Sequence, residues 1–225
     1  MSATHLFHRL DDVGADAGAT AFCEALAGDG MTLAAAVVPD WLTAGQAKRL
    51  VRLPDLAVLQ HGVSHANRRR LGYPDEFPDS MPDARMRHLI VDGRHRLEDA
   101  FSRAVIVYVP PWNRISHNLC RVLVEAGFEA VSGHSRFPVA RPLRNASATI
   151  DAVRHYAPLR LHALHRLTAA IEAATAATDR RWLGVFYHVG GLTRGERVRA
   201  VAIARRLGEL YPVADLLKVA VGRDY

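Results

Sequence analysis

Four polar groups follow short apolar segments of the chain, and each has side chains suited to hydrolytic chemistry. They are Asp11 with Asp12, His61 with His65, the tripeptide Pro111-Trp112-Asn113, and His188. In folds built from alternating parallel strands and helices, sites lie at the carboxyl ends of the strands. The placement of all four groups at predicted strand ends is the strongest indication of a site in this sequence.

Asp11 and Asp12 directly follow the apolar segment from His5 to Leu10. Because adjacent residues at a strand end point in different directions, one carboxylate can bind a metal while its neighbour takes a proton. Taken alone, the pair is more typical of a helix N-cap beside a solvated aspartate, helped by Gly14. The metal interpretation therefore depends on the other groups.

His61 and His65 lie four residues apart, just beyond the apolar segment Leu56 to Gln60. On one turn of helix this spacing places both imidazoles on one side. Two neutral imidazoles and a carboxylate such as Asp12 suit Zn²⁺ and leave coordination positions open for water and substrate. We therefore expect one divalent metal ion, with Zn²⁺ favoured and Co²⁺, Mn²⁺ or Ni²⁺ as alternatives. A single histidine in this position would more often satisfy backbone groups.

The segment Tyr108 to Asn113 contains two consecutive prolines, which stiffen the turn. A rigid turn can hold the Trp112 backbone amide toward a developing oxyanion while the indole forms a pocket wall. A purely structural turn around a core tryptophan fits this segment equally well. His188 ends the apolar segment Leu183 to Tyr187, and its near-neutral pKa suits a general acid.

The elements that position these groups are short apolar segments alternating with longer segments of helical periodicity. Strands are predicted at 5–10, 33–38, 56–60, 104–109, 128–131, 149–153 and 183–187. Helices are predicted at 17–26, 43–51, 85–101 with an interruption at Gly93, 116–126, 159–177 and 194–210. This alternation, without a dinucleotide-binding glycine pattern, predicts an α/β fold, an incomplete (β/α) barrel of about seven parallel strands. The polar segment 66–83 is predicted to be a functional loop, and 134–147 an irregular segment; both are expected to shape a pocket.

Length and composition narrow the choice of protein class. The 225 residues fit a single domain spanning 1–225, and about half of them are apolar. The net charge of +6 comes from scattered arginines without interleaved aromatic residues, so no specific nucleic-acid partner is expected. Cys23 and Cys120 are predicted to be buried free thiols. No signal peptide or membrane helix is recognised, which predicts a cytoplasmic protein; the sequence does not indicate an oligomeric state.

The four groups together resemble the motifs of the polysaccharide deacetylase family, of the carbohydrate esterase type. The segment His8 to Gly14 (HRLDDVG) is similar to its first motif, and His61 to His65 (HGVSH) to its second, His-x-x-Ser/Thr-His. Val109 to Trp112 (VPPW) resembles the third motif, and Tyr187-His188 the closing Leu-x-x-His. All four occur in the family's order, and they span most of the chain.

The resemblance implies a distorted barrel, one divalent metal and hydrolysis of an amide, typically the N-acetyl group of an amino sugar. By position it implies Asp11 as general base and Asp12, His61 and His65 as metal ligands. It further implies an oxyanion contact from the Trp112 amide and proton donation by His188. Pro111, Trp112, Asn113 and Arg114 are the predicted substrate-binding residues.

Two departures from the family pattern predict altered surroundings for the base and the acid. Val109 stands where the family usually has the arginine that supports the base, and Arg114 is a candidate replacement. The Asp-x-x-Asp-Trp motif is reduced to 151–155 (DAVRH), where Arg154 is expected to depress the pKa of a nearby histidine. Changed specificity or reduced activity is therefore one expectation.

The leading hypothesis is a metal-dependent deacetylase acting on a glycan or a small acetylated substrate. One alternative is a non-catalytic or altered-specificity relative that keeps the metal site and binds carbohydrate. A second alternative is a metallohydrolase of another class, such as a cyclic amidase or a phosphoesterase.

Overall fold

The computed structural model describes residues 4–134, 139–153, 162–178 and 181–222 of the chain. Its strands are β1 (His5–Val13), β2 (Leu33–Val37), β3 (Leu56–His61), β4 (Val107–Val109), β5 (Ala130–Val131), β6 (Arg144–Asn145), β7 (Ile150–Asp151) and β8 (Trp182–His188). Its α-helices are α1 (Ala17–Ala27), α2 (Ala44–Leu50), α3 (Asp83–Phe101), α4 (His117–Glu125), α5 (Leu164–Ala176), α6 (Arg194–Leu210) and α7 (Leu216–Val221). A 3₁₀ turn covers Pro111–Asn113.

The strands form one parallel sheet in the order β6-β5-β4-β3-β2-β1-β8-β7. Its two edge strands, β6 and β7, lie on one continuous stretch of chain. The amides of Arg144 and Ala146 donate to β5 and its flank, whereas those of Thr149 and Ala152 donate to β8. We call residues 144–152 the closing segment, because they connect both edges of the curled sheet. The predicted distorted, incomplete (β/α) barrel is confirmed, with eight parallel strands in the described residues where about seven were expected.

Alternation along β1 sorts its side chains between the two faces of the sheet. Leu6 and Leu10 pack in the large core between the sheet and the helices, whereas Phe7 packs in a smaller cluster inside the barrel. By the same period of two, Arg9 and Asp11 fall on the interior side with Phe7. The interior cluster consists largely of small residues, among them Ala34, Ala36, Ala57, Ala130, Ala146 and Ala148. This lining leaves room inside the barrel for larger polar side chains.

Most predicted elements are present, with ends that shift by a few residues. The helical interruption predicted at Gly93 is wrong, since α3 runs unbroken from Asp83 to Phe101. A Cβ atom at Gly93 would lie 2.9 Å from the Gln60 side-chain nitrogen and 3.2 Å from Pro39 Cγ. The glycine is therefore explained by close packing of the helix on β3. Residues 159–161 of the helix predicted at 159–177 lie outside the described residues, and α5 begins at Leu164.

Two elements were not predicted, namely β6 within the segment taken as irregular and the C-terminal helix α7. Leu216 and Ala220 of α7 pack in the interior cluster, so this helix covers one end of the barrel. Cys23 and Cys120 are buried free thiols, as predicted. No helix within the described parts of the chain is both long and apolar enough to cross a membrane.

Replacing Gly184 with alanine tests the packing of the barrel interior. A Cβ at Gly184 would collide with the Phe7 ring and lie 2.7 Å from Ala148 Cα on the closing segment. We expect Gly184→Ala to lower the free energy of unfolding by about 2 kcal/mol, measured by urea denaturation. The matched control is Gly195→Ala, where nothing lies within 4 Å of the new Cβ. Equal stability of the two variants would contradict this packing.

Candidate metal centre and catalytic site

Asp12, His61 and His65 form a cluster whose ligand atoms all lie within 4.8 Å of one another. The Asp12 Oδ1 atom is 3.5 Å from Nε2 of His61 and 3.6 Å from Nε2 of His65. Of the side chains in the described residues, this is the one group of three with such an arrangement. The residues predicted as metal ligands are therefore brought together.

Backbone conformation aims these three side chains at a common point. Asp12 lies within an irregularity in the pairing of β1 with β2 and has a left-handed backbone, with φ of 64°. His61 is the last residue of β3. Gly62 and His65 also have positive φ, at 57° and 53°, so the chain between the two histidines forms a turn and not the expected helical turn. A non-glycine residue in the left-handed region is strained, and such strain is common at functional sites.

The tautomer of His61 follows from its backbone contact. Its Nδ1 atom lies 3.0 Å from the Val109 carbonyl oxygen, which can only accept a hydrogen bond. Nδ1 therefore carries the proton, and the lone pair of Nε2 is directed toward Asp12. This is the orientation that a metal-binding histidine needs.

The protonation states of Asp12 and His65 also suit metal binding. Burial opposes ionisation of Asp12, but the interactions with His61, His188 and His65 outweigh it and lower its pKa to about 2. Burial, together with His61, lowers the pKa of His65 to about 4. At neutral pH the cluster therefore offers one carboxylate and a neutral His65 imidazole.

Asp11 is held by a buried arginine, Arg9, two residues earlier on β1. Nε of Arg9 donates to Oδ1 of Asp11 at 2.7 Å, and Nη2 donates to Oδ2 at 2.8 Å. Nη1 donates to Ser132 Oγ at 2.9 Å, to the Gly133 carbonyl at 3.1 Å and to the Ser132 carbonyl. The guanidinium also lies 5.0 Å from the centre of the Phe186 ring. The orientation of Asp11 is thus fixed by a two-point ion pair.

Arg9 thus gives Asp11 the guanidinium partner that Val109, on another strand, cannot supply. Arg114, the candidate replacement, turns away, and its Nε donates to Asp75 Oδ2 at 2.7 Å. Val109 packs inside the barrel beside β3, where its carbonyl orients His61. Sequence reasoning assigned no role to Arg9, although an arginine at an interior position of a buried strand was a usable signal.

His188 is paired with β1 at Asp11 in the register of the parallel sheet. The carboxylate of Asp151, on β7, lies 3.6 Å from Nδ1 of His188. Burial by itself lowers the pKa of His188, but the interaction with Asp151 and the charges of Asp11 and Asp12 outweigh it, so this pKa is raised. Asp151 therefore supports the histidine despite the reduced motif, and Arg154 lies outside the described residues.

Two tryptophans enclose the His65 ring. The ring centroid of Trp112 lies 4.5 Å from that of His65. The ring centroid of Trp41, on the loop after β2, lies 5.3 Å from that of His65. Trp112 and Asn113 both have left-handed backbones, with φ of 52° and 56°. The turn places the half-buried indole beside His65, while the Asn113 side chain approaches Arg9 Nη2 at 3.5 Å. Nothing in the sequence singled out Trp41.

The loop 66–83 is fastened to the histidine turn by the buried Glu76. Its carboxylate accepts hydrogen bonds from the Val63 amide at 3.1 Å and from the Ser64 amide and hydroxyl at 2.8 Å. Nη1 of Arg68 also donates to it at 3.1 Å. A Cβ at Gly62 would collide with Glu76 and lie 2.5 Å from Pro111 Cγ, so the fit requires glycine. This loop therefore fixes the turn that carries His65.

Substitution of Glu76 tests that link between loop and metal cluster. In Glu76→Gln the charge is lost and one carboxylate oxygen becomes an amide nitrogen, which cannot accept the hydrogen bond from the Val63 amide. The turn that carries His65 is therefore held less firmly. We expect Zn²⁺ affinity, measured by competition with a chelator, to fall about 10- to 100-fold. Asp79→Asn, an exposed change on the same loop, is the control. Unchanged affinity in Glu76→Gln would show that the loop does not orient the ligands.

Comparisons with known proteins identify the fold. No family model matches the sequence, and no curated protein is significantly similar. A putative polysaccharide deacetylase from Mycobacterium smegmatis is 14% identical with a TM-score of 0.68, over 99% of this chain and 91% of that one. A family 4 acetyl xylan esterase from Clostridium thermocellum, in complex with a cobalt ion, is 14% identical with a TM-score of 0.62, over 95% and 89%.

A third structure is described as a pseudoenzyme. The CE4 family pseudoenzyme BA3943 from Bacillus anthracis is 13% identical with a TM-score of 0.62, over 94% of this chain and 63% of that one. At such identities a likeness establishes the fold and leaves activity open. The chain shares its distorted barrel with the family 4 carbohydrate esterases and polysaccharide deacetylases.

Proposed function

We propose that the chain is a divergent member of the polysaccharide deacetylase family and a metal-dependent hydrolase. Its substrate would be an amino sugar or polysaccharide from which an N-acetyl or related acyl group is removed. The observation that carries the proposal is the joint arrangement of the Asp12–His61–His65 cluster with Asp11 and His188, which are paired across β1 and β8. The similar structures support it, since two of them are described as a deacetylase and an acetyl xylan esterase.

The side chains of the cluster fit a divalent cation of the zinc type. A carboxylate, a neutral His65 and the correctly oriented His61 Nε2 converge within 4.8 Å. This donor set favours Zn²⁺, with Co²⁺, Mn²⁺ and Ni²⁺ as alternatives. Such an ion supplies Lewis-acid chemistry, lowering the pKa of a water molecule and polarising an acyl oxygen.

Asp11 is suited to the role of general base. Its carboxylate is buried, and the bidentate contact with Arg9 holds it in one orientation. A base fixed in this way takes a proton from water without first reorganising, which is how a preorganised site lowers a barrier. Arg9 is a positioning residue in this proposal, since it acts through Asp11.

His188 is suited to donate a proton to the leaving amine nitrogen. Its interaction with Asp151 and with the nearby carboxylates favours the charged imidazolium, the form that carries the proton. Amine nitrogen is a poor leaving group unless it is protonated, so such a donor is needed beside the leaving group. The Trp112 amide, held in the turn that follows Pro110 and Pro111, is proposed to stabilise the oxyanion.

A non-catalytic role is the second candidate, because the fold also occurs in the pseudoenzyme BA3943. The pairs Arg9–Asp11 and Asp151–His188 argue against it, since a protein that only binds carbohydrate has no need to orient a base and an acid. A metallohydrolase of another class, such as a phosphoesterase or a cyclic amidase, would show activity on its own substrates and none on an acetamide.

The His61→Ala variant tests the metal cluster. We expect the purified wild-type protein, loaded with Zn²⁺, to bind one equivalent and to release acetate from N-acetylchitooligosaccharides. The variant removes one of three ligands, so both bound metal and acetate release should be lost. His88→Ala, a histidine of α3 away from the cluster, is the control. Retention of metal and activity in His61→Ala would overturn the assignment.

Moving the arginine from position 9 on β1 to position 109 on β4 tests the positioning of Asp11. We expect Arg9→Leu to lower kcat about 10- to 100-fold while bound Zn²⁺ is retained, because the base loses its partner but the ligands do not. The Val109→Arg change in that background should restore part of kcat, since position 109 faces the same barrel interior. A fall in kcat that is matched by loss of folded protein, or no rescue by Val109→Arg, would contradict the proposed role.

A further inference from the structure

A cavity rich in arginine lies on loop 66–83, beside the candidate catalytic site. It has a volume of about 430 Å³, within the range of small-molecule sites. Four arginines line it together with two aspartates, which leaves an excess of positive charge; these residues are Arg68, Arg69, Arg70, Arg114, Asp75 and Asp79. We call this cavity the arginine pocket. None of its residues takes part in the chemistry proposed above.

The four arginines fall into two structural classes. Arg114 is paired with Asp75 at 2.7 Å, and Arg68 with the buried Glu76 at 3.1 Å. Both are therefore fixed parts of the pocket wall. Arg69 and Arg70 are exposed, and neither forms an ion pair with any residue that the structure describes. These two guanidinium groups are the ones available to a ligand.

The backbone of the loop holds the pocket in shape before any ligand arrives. The Asn67 side-chain oxygen accepts hydrogen bonds from the amides of Arg69 at 3.0 Å and Asp75 at 3.1 Å. The Arg68 amide donates to the Asp75 carbonyl at 2.9 Å. These bonds tie the start of the arginine run to Asp75 on the other side of the loop, so less conformational entropy is lost when a ligand binds.

Two arginines of the pocket wall are linked to neighbours of His65. Nη2 of Arg68 donates to Ser64 Oγ at 3.1 Å, and Ser64 precedes His65. Arg114 belongs to the same turn as Trp112, whose ring packs on His65. A substrate that reaches the cluster past Trp112 would therefore extend along the arginine pocket. Leu71, which is 84% exposed, offers an apolar surface at its edge.

We propose that the arginine pocket is a subsite for an anionic group carried by the glycan substrate, with Arg69 and Arg70 as its binding residues. Guanidinium groups form paired hydrogen bonds with carboxylate and sulfate oxygens, and a pocket near a rigid wall favours such geometry. This inference rests on the proposed function, because it assigns the acidic residue of the substrate to a position beside the acylated sugar. The substrate is thus an acidic, N-acetylated oligosaccharide.

The test compares three N-acetylated tetrasaccharides with the Zn²⁺-loaded protein. They are neutral chitotetraose, a hyaluronan tetrasaccharide that carries carboxylates, and a 6-O-sulfated chitotetraose. We expect kcat/KM for acetate release to be higher for an acidic tetrasaccharide than for the neutral one, and the preferred acid identifies the anion. We call the kcat/KM of the preferred acidic tetrasaccharide divided by that of the neutral one the acid preference ratio. In the Arg69→Gln/Arg70→Gln variant this ratio should fall about tenfold or more, because KM for the acidic substrate rises.

The matched control is Arg52→Gln/Arg181→Gln, which removes the same charge from exposed positions that precede β3 and β8, at the opposite end of the barrel. The control should keep the wild-type ratio. A wild-type protein without preference for either acidic substrate, or an equal fall of the ratio in both variants, would overturn the subsite.

Failure of the proposed function gives a different result. If none of the three substrates releases acetate, calorimetric dissociation constants for the same tetrasaccharides decide the question. Tighter binding of an acidic one, weakened in the Arg69→Gln/Arg70→Gln variant and not in the control, would support the subsite without hydrolysis. Equal binding of all three would overturn it.

Discussion

The ion pair between Arg9 and Asp11 inside the barrel is the interaction on which the rest of the site depends. Removing two charges from water costs several kcal/mol for each ion, unless their hydrogen-bonding groups find partners. Here the guanidinium donates to Asp11, Ser132 and Gly133, and it lies over the Phe186 ring. Strands β1, β5 and β8 must therefore meet around it, and the alanines of the interior provide the space. The pair thus links barrel packing to the orientation of the Asp11 carboxylate.

The fold was largely predictable, because buried strands and amphipathic helices have distinct periods in the sequence. The failures were elements whose structure depends on distant partners. Strand β6 has only two residues and forms through its pairing with β5. Helix α7 has six residues, and its apolar side chains are buried only because they cover the end of the barrel. Gly93 misled the prediction, since its close contacts with β3 are tertiary and leave no local signal.

The metal cluster was predictable because its residues lie in short motifs at strand ends. The residues that support this cluster and Asp11 were not predictable, because a guanidinium or a carboxylate can come from any interior position with enough room. The family pattern placed the supporting arginine at Val109, whereas the structure has Arg9 on a different strand. Glu76 and Trp41 come from loops whose approach to His65 only the folded chain defines. A supporting arginine that comes from a different sequence position also fits the absence of any matching family model.

The closing segment, residues 144–152, has a consequence for how the molecule loses its order. Its amides bond to β5 on one side and to β8 on the other, and Asp151 projects from it toward His188. Local opening of this one stretch of backbone would separate both sheet edges and withdraw the partner of the histidine in the same event. Closure of the sheet and the position of Asp151 beside His188 therefore form one cooperative unit. The local stability of the segment sets the fraction of molecules in which Asp151 holds His188.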